Sequence, residues 1–209
     1  MNEGSVLSML NRVGAIVTES HIVYTSGKHG TAYVDKDRVS LDPEFLNIFA
    51  QSIATDLLSE RIEVVVAPAL GAITLGSWTA YHLASLSHTN VKSMIAEKTL
   101  GDFFLRPKDD ALISGKRVLV VEDILTTGGS ALKVVEAVRA KGGEVVAVAV
   151  LCNRGEVTPE MIGGVPKLLA LANMKLDAWD EADCPMCREG IPINTEVGKG
   201  REFLARKQA

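Results

Sequence analysis

The middle of the chain alternates short runs of β-branched and other apolar residues with stretches of helical periodicity. The apolar runs are residues 64–67, 92–96, 118–121 and 145–151, and the helical stretches are 72–86 and 129–141. Continuous apolar runs are typical of strands that are covered on both faces. Helices between such strands supply right-handed crossovers, so the pattern predicts an α/β fold with a parallel sheet. Ligands of such sheets bind at the carboxyl ends of the strands.

The first sixty residues follow a different pattern. Four apolar residues recur at helical spacing and predict an amphipathic first helix: Val6, Leu10, Val13 and Val17. Two strands are predicted at 21–25 and 31–39, because the glycines between them favour a sharp turn. Asp42 and Pro43 predict the start of a helix, with a capping carboxylate and a proline in the first turn.

The bulk composition limits the class of partner. With 209 residues, of which 47% are hydrophobic, the chain can bury one substantial core. The formal charge of -4 gives no general electrostatic attraction to nucleic acid or to an anionic membrane, so we expect neither as a partner. Three cysteines fit a reducing compartment better than a disulfide framework, and we expect a cytoplasmic protein.

A strand that runs into two acids and a small polar turn is the strongest functional signal. Glu122 and Asp123 follow the apolar run 118–121. The turn that opens the next helix then offers hydroxyls or bare backbone: Thr126, Thr127, Gly128, Gly129 and Ser130. Backbone N–H groups at a helix N-terminus form a cradle for an anion. Two carboxylates beside it suit the hydroxyls of a sugar phosphate or a hydrated magnesium ion.

This order of four apolar residues, two acids, two apolar residues and a Thr-Thr-Gly-x-Ser-like loop resembles the type I phosphoribosyltransferase family. The resemblance implies a parallel-sheet core with a small hood. Residues 1–40 would be the N-terminal hood segment, a helix and a hairpin, and residues 41–172 the α/β core. Residues 173–209 would be a C-terminal tail that is a candidate for the rest of the hood.

The resemblance also implies what individual residues bind. Glu122 and Asp123 would hold the ribose hydroxyls of 5-phosphoribosyl-1-pyrophosphate, and Thr126 through Ser130 would hold its 5′-phosphate. A second strand-to-helix turn corresponds to the loop that faces pyrophosphate in the family: Ala69, Leu70 and Gly71. Magnesium is the implied cofactor, held mainly through the substrate and through water by the two acids.

Two features are similar to the orotate-specific members of the family. Lys28 and Tyr33 lie in and after a Ser-Gly-Lys hairpin, which in those members places a lysine and an aromatic residue over the base. Arg154 lies in a segment similar to their Asp-Arg-Gln-Glu sequence, with Asn153 in place of the aspartate. The planar fork of an arginine matches a carboxylate bidentately, so Arg154 would pair with the orotate carboxylate.

A third feature is the polar stretch that runs about fifteen residues from Lys98 to Ser114, where the family carries its mobile catalytic loop. Loops of that length tend to be functional or disordered. The basic residues here differ from the usual Lys-x-x-Lys-x-His-Gly pattern, and they are Lys98, Arg106 and Lys108. Lys98 is our first choice for the catalytic cation and Arg106 the second.

The expected reaction is transfer of the phosphoribosyl group to orotate, which gives orotidine 5′-monophosphate and pyrophosphate. The family resemblance also implies a homodimer, in which the loop from Lys98 reaches the partner's site. A purine-base transferase would share residues 118–130 but would have little need of Lys28 and Arg154. A non-catalytic regulatory protein with the same fold is the other alternative, and the intact acid pair argues against it.

The C-terminal tail leaves one question open. Cys184 and Cys187 have the spacing of metal ligands, but a structural zinc site needs about four ligands and only Cys152 offers a third thiol. The alternative is two ordinary thiols in a turn made by Pro185.

His29 is either a contact of the base or pyrophosphate, or a solvated turn residue.

Overall fold

Helices and strands alternate along the chain in the computed structural model, which describes residues 1–99, 102–106 and 110–208. The strands are β1 (Ile16–Val17), β2 (Ile22–Val23), β3 (His29–Gly30), β4 (Tyr33–Val34), β5 (Val64–Pro68), β6 (Lys92–Thr99), β7 (Asp102–Phe104), β8 (Arg117–Leu125), β9 (Glu144–Asn153) and β10 (Leu168–Asn173). The α-helices are α1 (Glu3–Arg12), α2 (Lys36–Ser40), α3 (Pro43–Asp56), α4 (Ile73–Ser87), α5 (Asp110–Ile113), α6 (Gly129–Ala140), α7 (Pro185–Arg188) and α8 (Gly200–Gln208).

A six-stranded sheet in the order β10-β9-β8-β5-β6-β7 forms the centre of the protein. The first five strands of that order are parallel, and β7 joins the edge antiparallel to β6. All four apolar runs became parallel strands, and the two helical stretches between them became α4 and α6. The predicted α/β class with a parallel sheet is therefore confirmed.

The sheet is covered on both faces, as its continuous apolar strands require. Val64 and Val66 lie in the cluster that α6 covers, whereas Val65 lies in the cluster that α3 and α4 cover. Burial of each such side chain contributes about 1.5–3 kcal/mol. Helix α1 packs Val6 and Leu10 into the second of these clusters.

Helix α3 begins where the sequence predicts. The side chain of Asp42 accepts hydrogen bonds from the N–H groups of Glu44 at 3.1 Å and Phe45 at 3.4 Å, and Pro43 occupies the first turn. These bonds satisfy donors that have no partner inside the helix. The start of α3 fixes the end of the N-terminal segment against the core.

The chain N-terminal to α3 departs from prediction at several places. Helix α1 ends at Arg12, so Val17 lies in a strand; the N–H groups of Gly14 and Ala15 bond back to the last helical carbonyls and close the helix. The predicted strand 31–39 is wrong beyond Val34, because the side chain of Asp35 caps helix α2. A hairpin is present, but its second strand is β3, within the predicted turn, and β4 of the predicted second strand pairs with β1 instead.

The N-terminal hairpin also pairs with the C-terminal tail. The backbone of His29 exchanges two hydrogen bonds of 2.8 Å with Trp179, and His21 pairs with Ile193. The division of the chain at residues 40 and 172 stays a prediction. Within the described part of the chain, no helix combines the length and the apolar character needed to cross a membrane.

Candidate active site

Three loops meet at one edge of the central sheet. Strands β5, β8 and β9 are parallel neighbours, so the segments that follow them emerge side by side: 69–72, 126–130 and 154–155. The guanidinium Nε of Arg154 donates to Oγ1 of Thr126 at 2.9 Å and so ties two of these segments together. The predicted site residues of these three segments thus lie at the edge where parallel sheets bind ligands.

Asp123 forms an ion pair at this edge. Its Oδ2 lies 2.8 Å from Nζ of Lys36, and its Oδ1 accepts a hydrogen bond from the N–H of Ile124 at 2.7 Å. Burial opposes the charge of Lys36, but the hydrogen bond and the charge of Asp123 outweigh it and raise the pKa of Lys36. A Cβ at residue 71 would clash with Asp123 and lie 2.7 Å from Lys36 Nζ. Only the glycine that is present, Gly71, permits this approach.

Glu122 is the more buried member of the acid pair, with 7% of its surface exposed. Burial, the charge of Asp123 and a hydrogen bond to Asp123 raise the pKa of Glu122 to about 8. At neutral pH the Glu122 carboxyl therefore favours its protonated form. A protonated carboxyl donates and accepts hydrogen bonds, as the hydroxyls of a sugar do.

The turn between β8 and α6 is the segment for which the sequence predicts an anion cradle. Gly128 has a φ of 76° and, as the N-cap of α6, offers no side-chain cap, and the N–H of Gly129 donates to Oγ1 of Thr127 at a long 3.4 Å. A cavity of about 110 Å³ lies at this turn, lined by Glu122, Ile124, Leu125, Thr126, Thr127, Gly128, Gly129, Ser130 and Ala131. A helix N-terminus with uncapped N–H groups attracts an anion through its hydrogen-bond donors and its dipole.

A larger cavity of about 540 Å³ adjoins the cradle. Its walls come from the N-terminal hairpin, the cradle, the end of β9 and the tail: Tyr24, Thr25, Ser26, Thr126, Thr127, Arg154, Gly155, Leu176 and Ala178. Arg154 lies over the ring of Tyr33 at 5.4 Å, and its buried Nη1 has no hydrogen-bond partner among the described residues. The cavity thus offers an aromatic, largely apolar wall with a buried guanidinium donor.

Other predicted residues lie away from this cavity. Lys28 is half exposed, with Nζ 3.6 Å from Asp180, and it is not among the residues that line the cavity. Lys98 is exposed on β6, and Arg106 pairs with Glu97. Leu70 is 83% exposed in the turn before α4. Lys108 lies outside the described residues.

The predicted loop from Lys98 to Ser114 is wrong in part. Its described residues include β7, in which Phe103 pairs with Lys98 of β6, and the short helix α5. Phe103 and Leu105 are buried, whereas Phe104 between them is exposed. This alternation of buried and exposed side chains is typical of a strand at the edge of a sheet. The polar composition of the segment conceals the alternation in the sequence.

The chain matches known proteins over its core and beyond. The Phosphoribosyl transferase domain family matches residues 46–167. The orotate phosphoribosyltransferase of Caldicellulosiruptor bescii is 36% identical over 193 residues, which are 92% of this chain and 96% of that protein. The chain belongs to the phosphoribosyl transferase family. A second relative, the orotate phosphoribosyltransferase of Caldanaerobacter subterraneus subsp. tengcongensis, is 33% identical over the same shares of the two chains.

Solved structures agree with this membership. The orotate phosphoribosyltransferase of Mycobacterium tuberculosis H37Rv, in complex with inorganic phosphate, has a TM-score of 0.64 and 25% identity. The match covers 82% of this chain and 95% of that one. The resemblance drawn from the strand, acid pair and turn is therefore confirmed at the level of the family and the fold.

Sequence reasoning missed two side chains of this phosphoribosyl transferase. Lys36 reaches Asp123 across 87 residues of sequence, and no local motif marks it. Tyr24 lines the larger cavity, and its hydroxyl donates to the carbonyl of Ala32 at 2.7 Å. Burial raises the pKa of Tyr24. The sequence signal that could have identified Tyr24 is its position. It is an aromatic residue in the predicted hairpin, four positions before Lys28.

The raised pKa of Glu122 predicts a pH-dependent effect of Glu122→Gln on stability. An unfolded glutamate loses its proton near pH 4.3, whereas the folded protein keeps it to about pH 8. Between those values the folded state binds more protons, so rising pH lowers the native free energy of unfolding. Glutamine does not titrate and removes this effect. Between pH 5 and pH 8, the free energy of unfolding of the variant should therefore rise by at least about 1.4 kcal/mol relative to that of the native protein.

Urea denaturation at pH 5, 6.5 and 8 measures this difference. Glu136→Gln, at an exposed position on α6, is the matched control for removal of a carboxyl group. A difference between Glu122→Gln and the native protein that stays constant with pH contradicts the burial argument.

Proposed function

We propose that the protein transfers the phosphoribosyl group of 5-phosphoribosyl-1-pyrophosphate to orotate, which gives orotidine 5′-monophosphate and pyrophosphate. The reaction belongs to pyrimidine nucleotide biosynthesis. Membership of the family and the relatives named orotate phosphoribosyltransferase support the proposal. The observation that carries it is the buried Nη1 of Arg154, beside the anion cradle, for which the described part of the chain provides no hydrogen-bond partner.

The base would bind in the larger cavity. A desolvated guanidinium pairs strongly with a carboxylate, and orotate differs from the other common bases by its carboxylate. Tyr24 and Tyr33 lie beneath the guanidinium, at 6.0 Å and 5.4 Å, and hold it by cation–π contact. Lys28, on the same hairpin, would contribute positive charge near the base once its weak, exposed pairing with Asp180 gives way.

The donor would bind across the acid pair and the cradle. Glu122 and Asp123 would hold the ribose hydroxyls, Thr126 through Ser130 the 5′-phosphate, and Ala69 through Gly71 the pyrophosphate. The contact of Gly71 with the Asp123–Lys36 pair supports this assignment, because it brings the pyrophosphate loop to the acids. Lys36 is then a cation beside the leaving group, in addition to Lys98 and Arg106.

The residues present fit a magnesium ion that is held mainly through the substrate. Asp123 is paired with Lys36 and Glu122 has a pKa of about 8, so the pair is a poor direct ligand set and a good water-mediated one. When bound, magnesium neutralises the charge of the pyrophosphate leaving group.

The side chains of the chain itself account for the rest of catalysis. As the bond from C1 to pyrophosphate breaks, positive charge develops on the sugar, and the carboxylate of Asp123 favours that charge. The base then attacks C1 with inversion. A closing segment that carries Lys98 or Arg106 would bind departing pyrophosphate and exclude water that hydrolyses the donor.

Pyrophosphate release with four bases tests the proposed activity. We expect turnover with orotate at least tenfold above turnover with uracil, hypoxanthine or adenine, because only orotate offers a carboxylate to Arg154. Release with hypoxanthine or adenine alone would support the purine alternative. Absence of release with every base, in a protein that binds the donor, would support the regulatory alternative.

Arg154→Ala separates recognition of the base from binding of the donor. Loss of a charge-assisted partner for a desolvated carboxylate should cost about 2–5 kcal/mol in orotate recognition. The KM for 5-phosphoribosyl-1-pyrophosphate should change far less. Arg139→Ala, on the exposed side of α6, is the matched control. An unchanged KM for orotate in Arg154→Ala removes Arg154 from base recognition.

A homodimer and a cytoplasmic location complete the proposal. The three thiols are free, which supports a reducing compartment. Segments 1–40 and 173–209 would form the hood over the cavity, which the pairing of His29 with Trp179 supports. Sedimentation should give twice the mass of the chain at concentrations where the enzyme is active. A fully active monomer contradicts the shared site.

A further inference from the structure

Four metal-ligand side chains converge outside the active site. They come from both ends of the hairpin and from the tail: His21, His29, Cys184 and Cys187. One ligand atom from each lies within 4.8 Å of all the others. We propose that these four side chains bind one zinc ion at a structural site.

The distances between the ligand atoms fit a tetrahedral ion. Sγ of Cys187 lies 3.3 Å from Nδ1 of His29 and 3.6 Å from Nε2 of His21, and Sγ of Cys184 lies 3.7 Å from Nε2 of His21. Zinc bonds of about 2.3 Å to sulfur and about 2.0–2.1 Å to nitrogen place tetrahedral ligands about 3.3–3.8 Å apart. The two nitrogens lie closer, at 2.8 Å, and separate by about half an ångström around the ion.

The proton on His21 is already placed for coordination. Its Nδ1 lies 2.7 Å from the carbonyl oxygen of Ile191. A carbonyl oxygen only accepts, so Nδ1 carries the proton and Nε2 turns its lone pair to the cluster. Such an outer hydrogen bond fixes the tautomer and orientation of histidines that bind zinc.

Three of the four ligands are buried and Cys187 is partly exposed, so the site is closed to solvent on most sides. His29 and Cys184 are fully buried and His21 is 2% exposed, and the ring of Phe203 packs against His29 at 4.9 Å. Without an ion, the bond between the two rings is the one strong hydrogen bond inside the cluster, because thiols are weak donors and acceptors. Buried polar groups are normally satisfied. Four protein ligands with no open position are typical of structural zinc, and two thiolates with two imidazoles suit its chemistry.

The ion would join parts of the chain that are remote in sequence. His21 and Cys184 are 163 residues apart. Between the two histidines lie Tyr24, Thr25 and Ser26, which line the larger cavity. The ion would therefore fix one wall of the proposed base pocket from behind, without touching the substrate.

Metal analysis and cobalt substitution test the site. The protein is purified under reducing conditions without chelator, and its zinc content is measured. We expect about one zinc per chain, because a preformed four-ligand site binds zinc tightly. The apoprotein, made with a chelator, is titrated with cobalt alone; intense visible absorption that saturates near one equivalent would indicate tetrahedral thiolate coordination.

Matched cysteine variants assign the ligands. Cys187→Ser should lose at least nine-tenths of the zinc, whereas Cys152→Ser should keep it. Cys152 is buried in β9, outside the cluster, where burial raises the pKa of its thiol to about 11. Should Cys187→Ser not fold, chelation of the native protein replaces it, and zinc should restore the Tm that the chelator lowers.

Three results would overturn the proposal. They are a native protein that binds neither zinc nor cobalt, a Cys187→Ser variant that keeps its zinc, and a Cys184–Cys187 disulfide in the reduced preparation. None of these readouts uses orotate or pyrophosphate release, so the zinc site and the proposed activity stand or fall separately.

Discussion

The parallel pairing of β5, β8 and β9 is the constraint on which the rest of the structure depends. Because three adjacent strands end at one edge, short loops after them are enough to bring the predicted site residues side by side. The segment from Ala69 to Gly71, the cradle after β8 and Arg154 after β9 each occupy the first few residues beyond a strand. The buried strands are held by apolar burial on two faces, so the short polar loops are presented by a rigid base.

Two acids with little exposure to solvent, Glu122 and Asp123, determine the chemistry at that edge. Two adjacent carboxylates with little solvent cannot both carry full charge cheaply, and the protein meets this with Lys36 beside Asp123 and a proton on Glu122. The arrangement keeps one negative charge where a sugar cation would form. It also keeps hydrogen-bond donors and acceptors where sugar hydroxyls would lie.

Sequence reasoning succeeded where the information is local. The apolar period of the core strands, the Asp42 cap and the order of acids before the Thr/Gly turn each lie within a dozen residues, and all appear in the structure as predicted. It failed where the partner is distant. Lys36 forms its ion pair with Asp123 only after folding brings them together. The two histidines that face Cys184 and Cys187 lie more than 150 residues before them in the sequence.

Another miss has a different cause, and burial decides between two alternatives that the sequence left open. The sequence from Thr31 to Val39 alternates well enough to favour a strand, but Asp35 offers a cap that ends it, and capping outweighed the weak propensity of a short edge. Burial of His29 excludes the solvated turn residue that its hairpin position suggested. His29 also lies in β3, within the residues predicted to form the turn.

The pairing of His29 with Trp179 has a consequence for the order of synthesis. The hairpin leaves the ribosome early, and its strand partner follows 150 residues later. At a translation rate of about 5–20 residues per second, the hairpin waits roughly 8–30 seconds for it. The five parallel strands of the core sheet, which lie between Val64 and Asn173, are synthesised during that interval, and the wall formed by Leu176 and Ala178 follows them. The cavity beside Arg154 is consequently completed only after synthesis of the core that carries the cradle.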